Sequence, residues 1–181
     1  EGGASWAVTK AGGAMNFDGR DDTVTVNNVT ADLKPSSLTI AAWVKTGKGD
    51  AHGWVAAQGD NYGLVVNRQG DSNDVFFYYF NGSAWPSVSS GDVNITDDRW
   101  HHVAATYTAG GHMKMYKDGV EVGRSTTSGS ISYTHGDGFT IGTMQGSRNF
   151  EGKILDVRVY SRDLSGVEIM MLHTQGRRRW E

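Results

Sequence analysis

Short stretches of apolar or alternating residues recur along almost the whole chain, each ended by a cluster of Gly, Asn, Asp or Ser, and this rhythm constrains the fold more than any other feature. Such stretches lie at 14–18, 22–27, 37–46, 53–58, 62–67, 75–80, 84–89, 100–107, 112–117, 120–125, 138–142 and 152–160. A period of two over runs this short buries one face of a strand, and it is too brief for helices. About twelve strands joined by tight turns cannot hide their apolar faces in one open sheet, so two stacked antiparallel sheets are expected. The 25 glycines against only 2 prolines suit many turns.

The clearest hairpin is Met113-Lys114-Met115-Tyr116-Lys117-Asp118-Gly119-Val120-Glu121-Val122, where Asp118-Gly119 supplies the left-handed residues of a two-residue turn. Ser165-Gly166-Val167-Glu168 has capping-box spacing, and Ile169-Met170-Met171-Leu172 after it predicts one short apolar helix. The basic run Arg177-Arg178-Arg179 reads as a solvated tail or linker. One domain over 1–181, with its core at about 14–172, accommodates these elements. Trp43 and Trp100 are expected between the sheets, with the apolar side of Leu155, Val157 and Val159.

A formal net charge of -3 supplies no positive field to gather phosphates, so nucleic acid is disfavoured as a partner. The absence of cysteine excludes disulfides and thiolate chemistry. No apolar run approaches the ~20 residues of a membrane span, so membrane insertion is not expected. Residues 1–13 lack a signal peptide's basic start and apolar stretch, and a chain opening at Glu1 reads as a processed or excised piece.

Five segments in order resemble the laminin G-like, pentraxin-like domains of the concanavalin A-like lectin/glucanase superfamily, over roughly residues 14–172. They are Ala14-Met15-Asn16-Phe17-Asp18-Gly19-Arg20-Asp21-Asp22-Thr23-Val24-Thr25-Val26, Ser37-Leu38-Thr39-Ile40-Ala41-Ala42-Trp43-Val44-Lys45, Arg99-Trp100-His101-His102-Val103-Ala104-Ala105-Thr106-Tyr107, the Tyr116-Lys117-Asp118-Gly119 hairpin, and Phe150 to Ser165 with Lys153-Ile154-Leu155-Asp156-Val157 at its centre. The resemblance implies an all-β, two-sheet antiparallel jelly-roll sandwich with one short C-terminal helix. It also implies a non-catalytic, lectin-like carbohydrate-binding or cell-adhesion module of a secreted or cell-surface multidomain protein, whose partner is a polysaccharide, another glycan or a surface protein. A structural spacer within an adhesin is the alternative, and a small glycan hydrolase or lyase a further one.

Glycan hydrolases need two carboxylates flanking the scissile bond. The five glutamates never form the Glu-x-Asp-x-x-Glu pattern of the fold's glucanases, and the nearest match, from Glu151, has Lys153 and Asp156 at the key offsets. His101 and His102 are adjacent on a strand, so they face opposite ways and cannot grip one zinc ion. One should pack inside while the other hydrogen-bonds near the surface. Asp18, Asp21 and Asp22 crowd one turn, where Ca²⁺ ligation and simple turn capping are both open readings. Relatives commonly carry a calcium-holding acid directly after the closing strand's isoleucine. Here Leu155 occupies that place and the acid moves to Asp156, which a regular strand puts on the other face.

Glycan binding calls for exposed rings to stack on the apolar faces of sugars, with polar side chains beside them for the hydroxyls. Trp54, Tyr62, Tyr78 and Trp85 are the candidate rings, and Trp85 is the least easily explained as core because it lies between Asn81-Gly82-Ser83 and Pro86. Asp60, Asn61, His135, Arg148 and Asn149 are the candidate polar partners. Val75-Phe76-Phe77-Tyr78-Tyr79-Phe80 places aromatics on both faces of one strand, and the sequence does not say which set faces outward.

Overall fold

In the computed structural model of the protein, residues 3–9, 12–26, 29, 31–47, 53–68, 72–136, 138–144 and 148–180 are described. In chain order the strands are β1 (Ser5–Thr9), β2 (Gly12–Asp18), β3 (Val24–Val26), β4 (Leu38–Lys45), β5 (Gly53–Gln58), β6 (Tyr62–Val66) and β7 (Val75–Tyr79). There follow β8 (Ser87–Ser89), β9 (Trp100–Tyr107), β10 (His112–Lys117), β11 (Val120–Thr126), β12 (Phe139–Ile141) and β13 (Glu151–Tyr160), then helix α1 (Gly166–Trp180). A seven-stranded sheet in the order β1-β2-β13-β4-β9-β10-β11 stacks on a six-stranded sheet in the order β3-β12-β5-β6-β7-β8, and every pairing is antiparallel. This is the jelly-roll sandwich that the strand rhythm and the resemblance imply.

The core between the sheets takes alternate residues from facing strands. Leu38, Ile40, Ala42 and Val44 of β4 and Val103, Ala105 and Tyr107 of β9 meet Val55, Leu64, Phe77 and Tyr79 from the other sheet. Full burial of each large side chain removes apolar area worth about 2–3 kcal/mol, which makes this layer the main source of stability. At the Asp118-Gly119 turn, φ values of 51° and 81° match the left-handed geometry that the sequence demands. Asp118 also clamps the next strand, since its Oδ1 accepts the His102 amide at 2.9 Å and its Oδ2 accepts His101 Nδ1 at 2.8 Å.

Four expectations are corrected. Trp43 and Leu155 do not lie between the sheets; they pack with Ala14 and partly buried Trp100 on the outer face of the seven-stranded sheet. A bulge in β13 separates them from Val157 and Val159. The register against β4 shifts between Leu155 and Arg158, Asp156 takes φ 52°, and the extra residue returns Val157 and Val159 to the core while Leu155 stays outside.

The helix is also longer than the sequence predicts. It runs fifteen residues and contains the supposed tail, so Arg177, Arg178 and Arg179 form its last turn, where cations complement the negative end of the helix dipole. Its N-terminus is the expected capping box: the Glu168 amide donates to Ser165 Oγ at 3.3 Å, and the Ser165 amide donates to Glu168 Oε2 at 2.9 Å. The remaining corrections are β1, a strand that the sequence did not disclose, and β8, which begins later than expected so that Trp85 precedes it in a loop.

Candidate functional site

With α1 lying across the outer face of the seven-stranded sheet, the outer face of the six-stranded sheet is the broad surface that the helix does not cover. Strand alternation aims Phe76 and Tyr78 of β7 and Val65 of β6 outward. In β5 a register shift between Trp54 and Ala56 lets Val55 and Ala56 both face the core, while Trp54 and Ala57 join the outer set. Gly63 sits opposite Tyr78, and a Cβ there would lie 2.6 Å from the Tyr78 ring and 2.7 Å from the Trp54 ring. The missing side chain is what lets the two rings meet edge to face at 5.3 Å.

These residues floor a cavity of about 470 Å³ lined by Trp54, Asp60, Val65, Arg68, Phe76, Tyr78, Trp85, Ser87, Met144 and Arg148. Trp85 forms one wall. It is 45% exposed, its ring packs 4.6 Å from that of Phe80, and its indole N–H donates to the Asp60 carbonyl at 3.2 Å. Opposite, the Arg68 guanidinium lies 4.2 Å above the Phe76 ring centroid. Burial, and next the charge and hydrogen bond of the Asp60 carboxylate, push the Tyr78 hydroxyl far above its ordinary range, so Tyr78 is a neutral donor at any physiological pH.

Of the nine ligand candidates named from sequence, five line this one cavity: Trp54, Asp60, Tyr78, Trp85 and Arg148. His135 stands behind the wall, 5.3 Å from Trp85 and 4.2 Å from Phe80. Asn61 and Tyr62 do not line the cavity, and both are fully buried. Asn61 Nδ2 donates to the Gln58 side chain and to the Gly136 carbonyl at 2.8 Å each, and its Oδ1 accepts the His135 amide at 2.8 Å. It thereby pins the 135–136 loop to the turn that carries Asp60. Tyr62 points into the core and donates to the Leu33 carbonyl at 3.0 Å, and burial raises its pKa far above the ordinary phenol range. Asn149 lies outside the cavity, donating to the Arg20 carbonyl. Arg68, Phe76, Val65, Ser87 and Met144 were not singled out. Only Phe76 had a visible signal, namely its place two residues before Tyr78 on the same strand face.

Asp18, Asp21 and Asp22 come together as the sequence suggests, with one carboxylate oxygen from each within 4.8 Å of the others. The turn uses some of these oxygens itself: the Arg20 amide donates to Asp18 Oδ1 at 2.9 Å and the Asp18 amide to Asp22 Oδ2 at 2.8 Å. Asp156 is held by Arg158 through two contacts of 2.8 Å. His101 and His102 face apart as expected. Both His101 nitrogens meet carboxylates, Asp118 at 2.8 Å and Asp97 at 2.9 Å, whereas His102 packs under α1.

The chain is thus a layered jelly roll with an aromatic cavity open on one sheet face. The chain belongs to the concanavalin A-like lectin/glucanases superfamily, whose laminin G-like family model matches residues 18–170. No curated protein matches the sequence significantly. Among solved structures, the fold is similar to the binding domain of Paraclostridial Mosquitocidal Protein 1, with a TM-score of 0.77 at 11% identity, covering 96% of this chain and 46% of that one. It is similar to domain 4 of AbnA, an extracellular arabinanase from Geobacillus stearothermophilus solved with arabinotriose, with a TM-score of 0.76 at 20% identity, covering 96% of this chain and 82% of that one. It is also similar to the receptor-binding domain of botulinum neurotoxin mosaic serotype C/D, with a TM-score of 0.73 at 14% identity, covering 96% of this chain and 45% of that one. The chain thus spans about half the length of the two toxin domains. At these identities the likeness is one of fold. No helix among the described residues is long and apolar enough to cross a membrane.

Proposed function

We propose that this protein is a non-catalytic carbohydrate-binding module of a secreted or cell-surface protein, and that it binds glycan in the cavity between Trp54, Tyr78 and Trp85. The observation that carries this reading is the exposed Trp85 ring beside a buried aromatic floor, with Asp60 and two guanidinium groups at the same opening. Rings supply apolar contact to a sugar's C–H face, and the polar groups fix its hydroxyls. The arabinotriose complex of the AbnA domain gives a precedent on this fold. A hydrolase would need a second carboxylate, and the residues lining the cavity offer Asp60 alone.

The test is retardation in native gels containing dissolved polysaccharides. Trp85→Ala is expected to weaken retention about tenfold or more, equivalent to about 1.4 kcal/mol, because stacking on an exposed ring is lost. Its stability should fall by only about 1–2 kcal/mol, from the contact with Phe80 and the bond to the Asp60 carbonyl, so the variant stays folded. Equal retention of the variant on every polymer that retains the parent would remove the cavity from the binding site. No retention of the parent on any polymer would favour a spacer or protein-binding role.

The same reading includes a structural Ca²⁺ at Asp18, Asp21 and Asp22. Three carboxylates this close repel one another, and their hard oxygens suit that ion. Calcium bound only by the folded chain is expected to raise the melting midpoint by mass action, and Asp22→Asn is expected to abolish the rise. An identical midpoint in chelator and in millimolar calcium would leave the cluster as a turn cap.

A further inference from the structure

The cavity's cations define what kind of sugar it takes. Among the described residues Arg99, Arg124, Arg158 and Arg162 are each paired with a carboxylate, whereas Arg68 and Arg148 make no ion pair, as is also true of Arg20 and of the helix-end Arg177, Arg178 and Arg179. The unpaired guanidiniums of Arg68 and Arg148 line one cavity, with Asp60 as the single acid among the lining residues. The protein as a whole carries a net charge of -3, so a locally positive pocket runs against the molecule's own balance.

Two further atoms point the same way. Trp54 is only 5% exposed, yet its indole N–H is buried without an acceptor, and Arg68 Nε is also buried without one. A buried donor left unpaired is penalised by about 1–3 kcal/mol. Both belong to side chains that line the cavity, and what they lack is an acceptor. Arg148 takes a left-handed φ of 58°, a backbone position that an arginine rarely adopts. Asp60, the acid among the lining residues, is suited to accept a sugar hydroxyl.

We infer that the ligand is an acidic glycan, whose sugar ring stacks against Trp85 while its carboxylate is received by Arg68, Arg148 and the unpaired donors of the cavity wall. This rests on the carbohydrate-binding reading and narrows it. Guanidinium groups match carboxylates with paired, charge-assisted hydrogen bonds, which water-exposed neutral hydroxyls do not reproduce.

The experiment compares binding of the intact chain to polygalacturonate, dextran sulfate and neutral arabinan by affinity electrophoresis at low and moderate salt. Polygalacturonate is expected to bind at least tenfold more tightly than arabinan. Arg148→Gln and Arg68→Gln should each weaken binding of the acidic polymer about tenfold more than they weaken binding of arabinan. A triple Arg177→Gln, Arg178→Gln, Arg179→Gln variant controls for nonspecific attraction by the helix terminus and is expected to bind as the parent does. Loss of polygalacturonate binding in that variant would overturn the inference. So would arabinan binding equal to polygalacturonate binding and indifferent to both cavity arginines, although the carbohydrate site itself would then stand. Tighter binding of dextran sulfate than of polygalacturonate would overturn the carboxylate assignment. Retention by none of the three polymers would overturn both readings.

Discussion

Alanine at position 176 is expected to destabilise the protein by about 2–3 kcal/mol, although the same change inside an ordinary helix would stabilise it by about 1 kcal/mol. The reversal of sign comes from one contact. A Cβ on Gly176 would lie 2.2 Å from Trp43 Nε1 and 2.6 Å from Cε2 of the same ring. Trp43 has nowhere to retreat. It is 1% exposed, with the rings of His102 and His173 each 5.6 Å from its own. The helix must therefore shift outward, losing its seal over the seven-stranded sheet. Urea unfolding measures the loss, and near-ultraviolet circular dichroism should report a changed tryptophan environment. Gly166→Ala is the control, because its Cβ would meet only Tyr116 Cε1 at 3.9 Å, and it should be neutral or mildly stabilising. A raised midpoint for Gly176→Ala would mean that the helix does not rest on Trp43.

That contact also explains why the helix was only half legible in the sequence. Ser165 and Glu168 announce its start through local bonding, and those bonds form. Its second half opens with His173, Thr174 and Gly176, which have little intrinsic pull towards helix, and the good helix formers after them, Arg177 to Arg179, read as a charged tail. It is helical because Gly176 fits Trp43, a long-range fact that periodicity does not carry. Strand β4 hid the position of Trp43 for a related reason: all residues from Leu38 to Val44 are buried, so no alternation remains to identify the inner face. On β13 alternation was present, but the bulge at Asp156 changed its phase after Leu155. The aromatic strand β7 was legible as a two-faced strand but not as to which face, because the answer depends on where the second sheet stacks. The burial of Asn61 was not legible, because a polar residue beside a turn looks like a loop residue. Here its amide replaces backbone partners for the neighbouring 135–136 loop and is fully buried in doing so. The same contacts place Asp60 at the cavity, so Asn61 acts on the site by positioning it.

Acidification from pH 6.5 to pH 4.5 is expected to remove about 2–3 kcal/mol of stability, most of it traceable to His102. Burial, and then the nearby His173, lower the His102 pKa to about 4, and the weaker attractions of Asp118 and Asp156 do not compensate. The ring is 3% exposed and its Nδ1 has no partner, so the folded protein holds it neutral. The unfolded chain takes up a proton near pH 6.5 and the folded chain does not until about pH 4, so protons favour unfolding throughout that interval. His101 has the opposite sign. Burial opposes its charge, but the hydrogen bonds to Asp118 and Asp97 outweigh burial and raise its pKa. Its contribution is complete below the ordinary histidine pKa and fades as pH rises through the raised value. Asp97 and Asp118 are lowered because bonding to His101 overcomes their burial, so their contributions last until pH falls through the carboxylate range. Between pH 6.5 and 4.5 the His101 cluster is therefore nearly constant, and His102 sets the slope. Replacing it with phenylalanine preserves a flat ring beneath α1 and should flatten the profile in that interval. Urea midpoints at pH 6.5, 5.5 and 4.5 for both proteins decide the matter, and a parent profile already flat there would refute a neutral, buried His102.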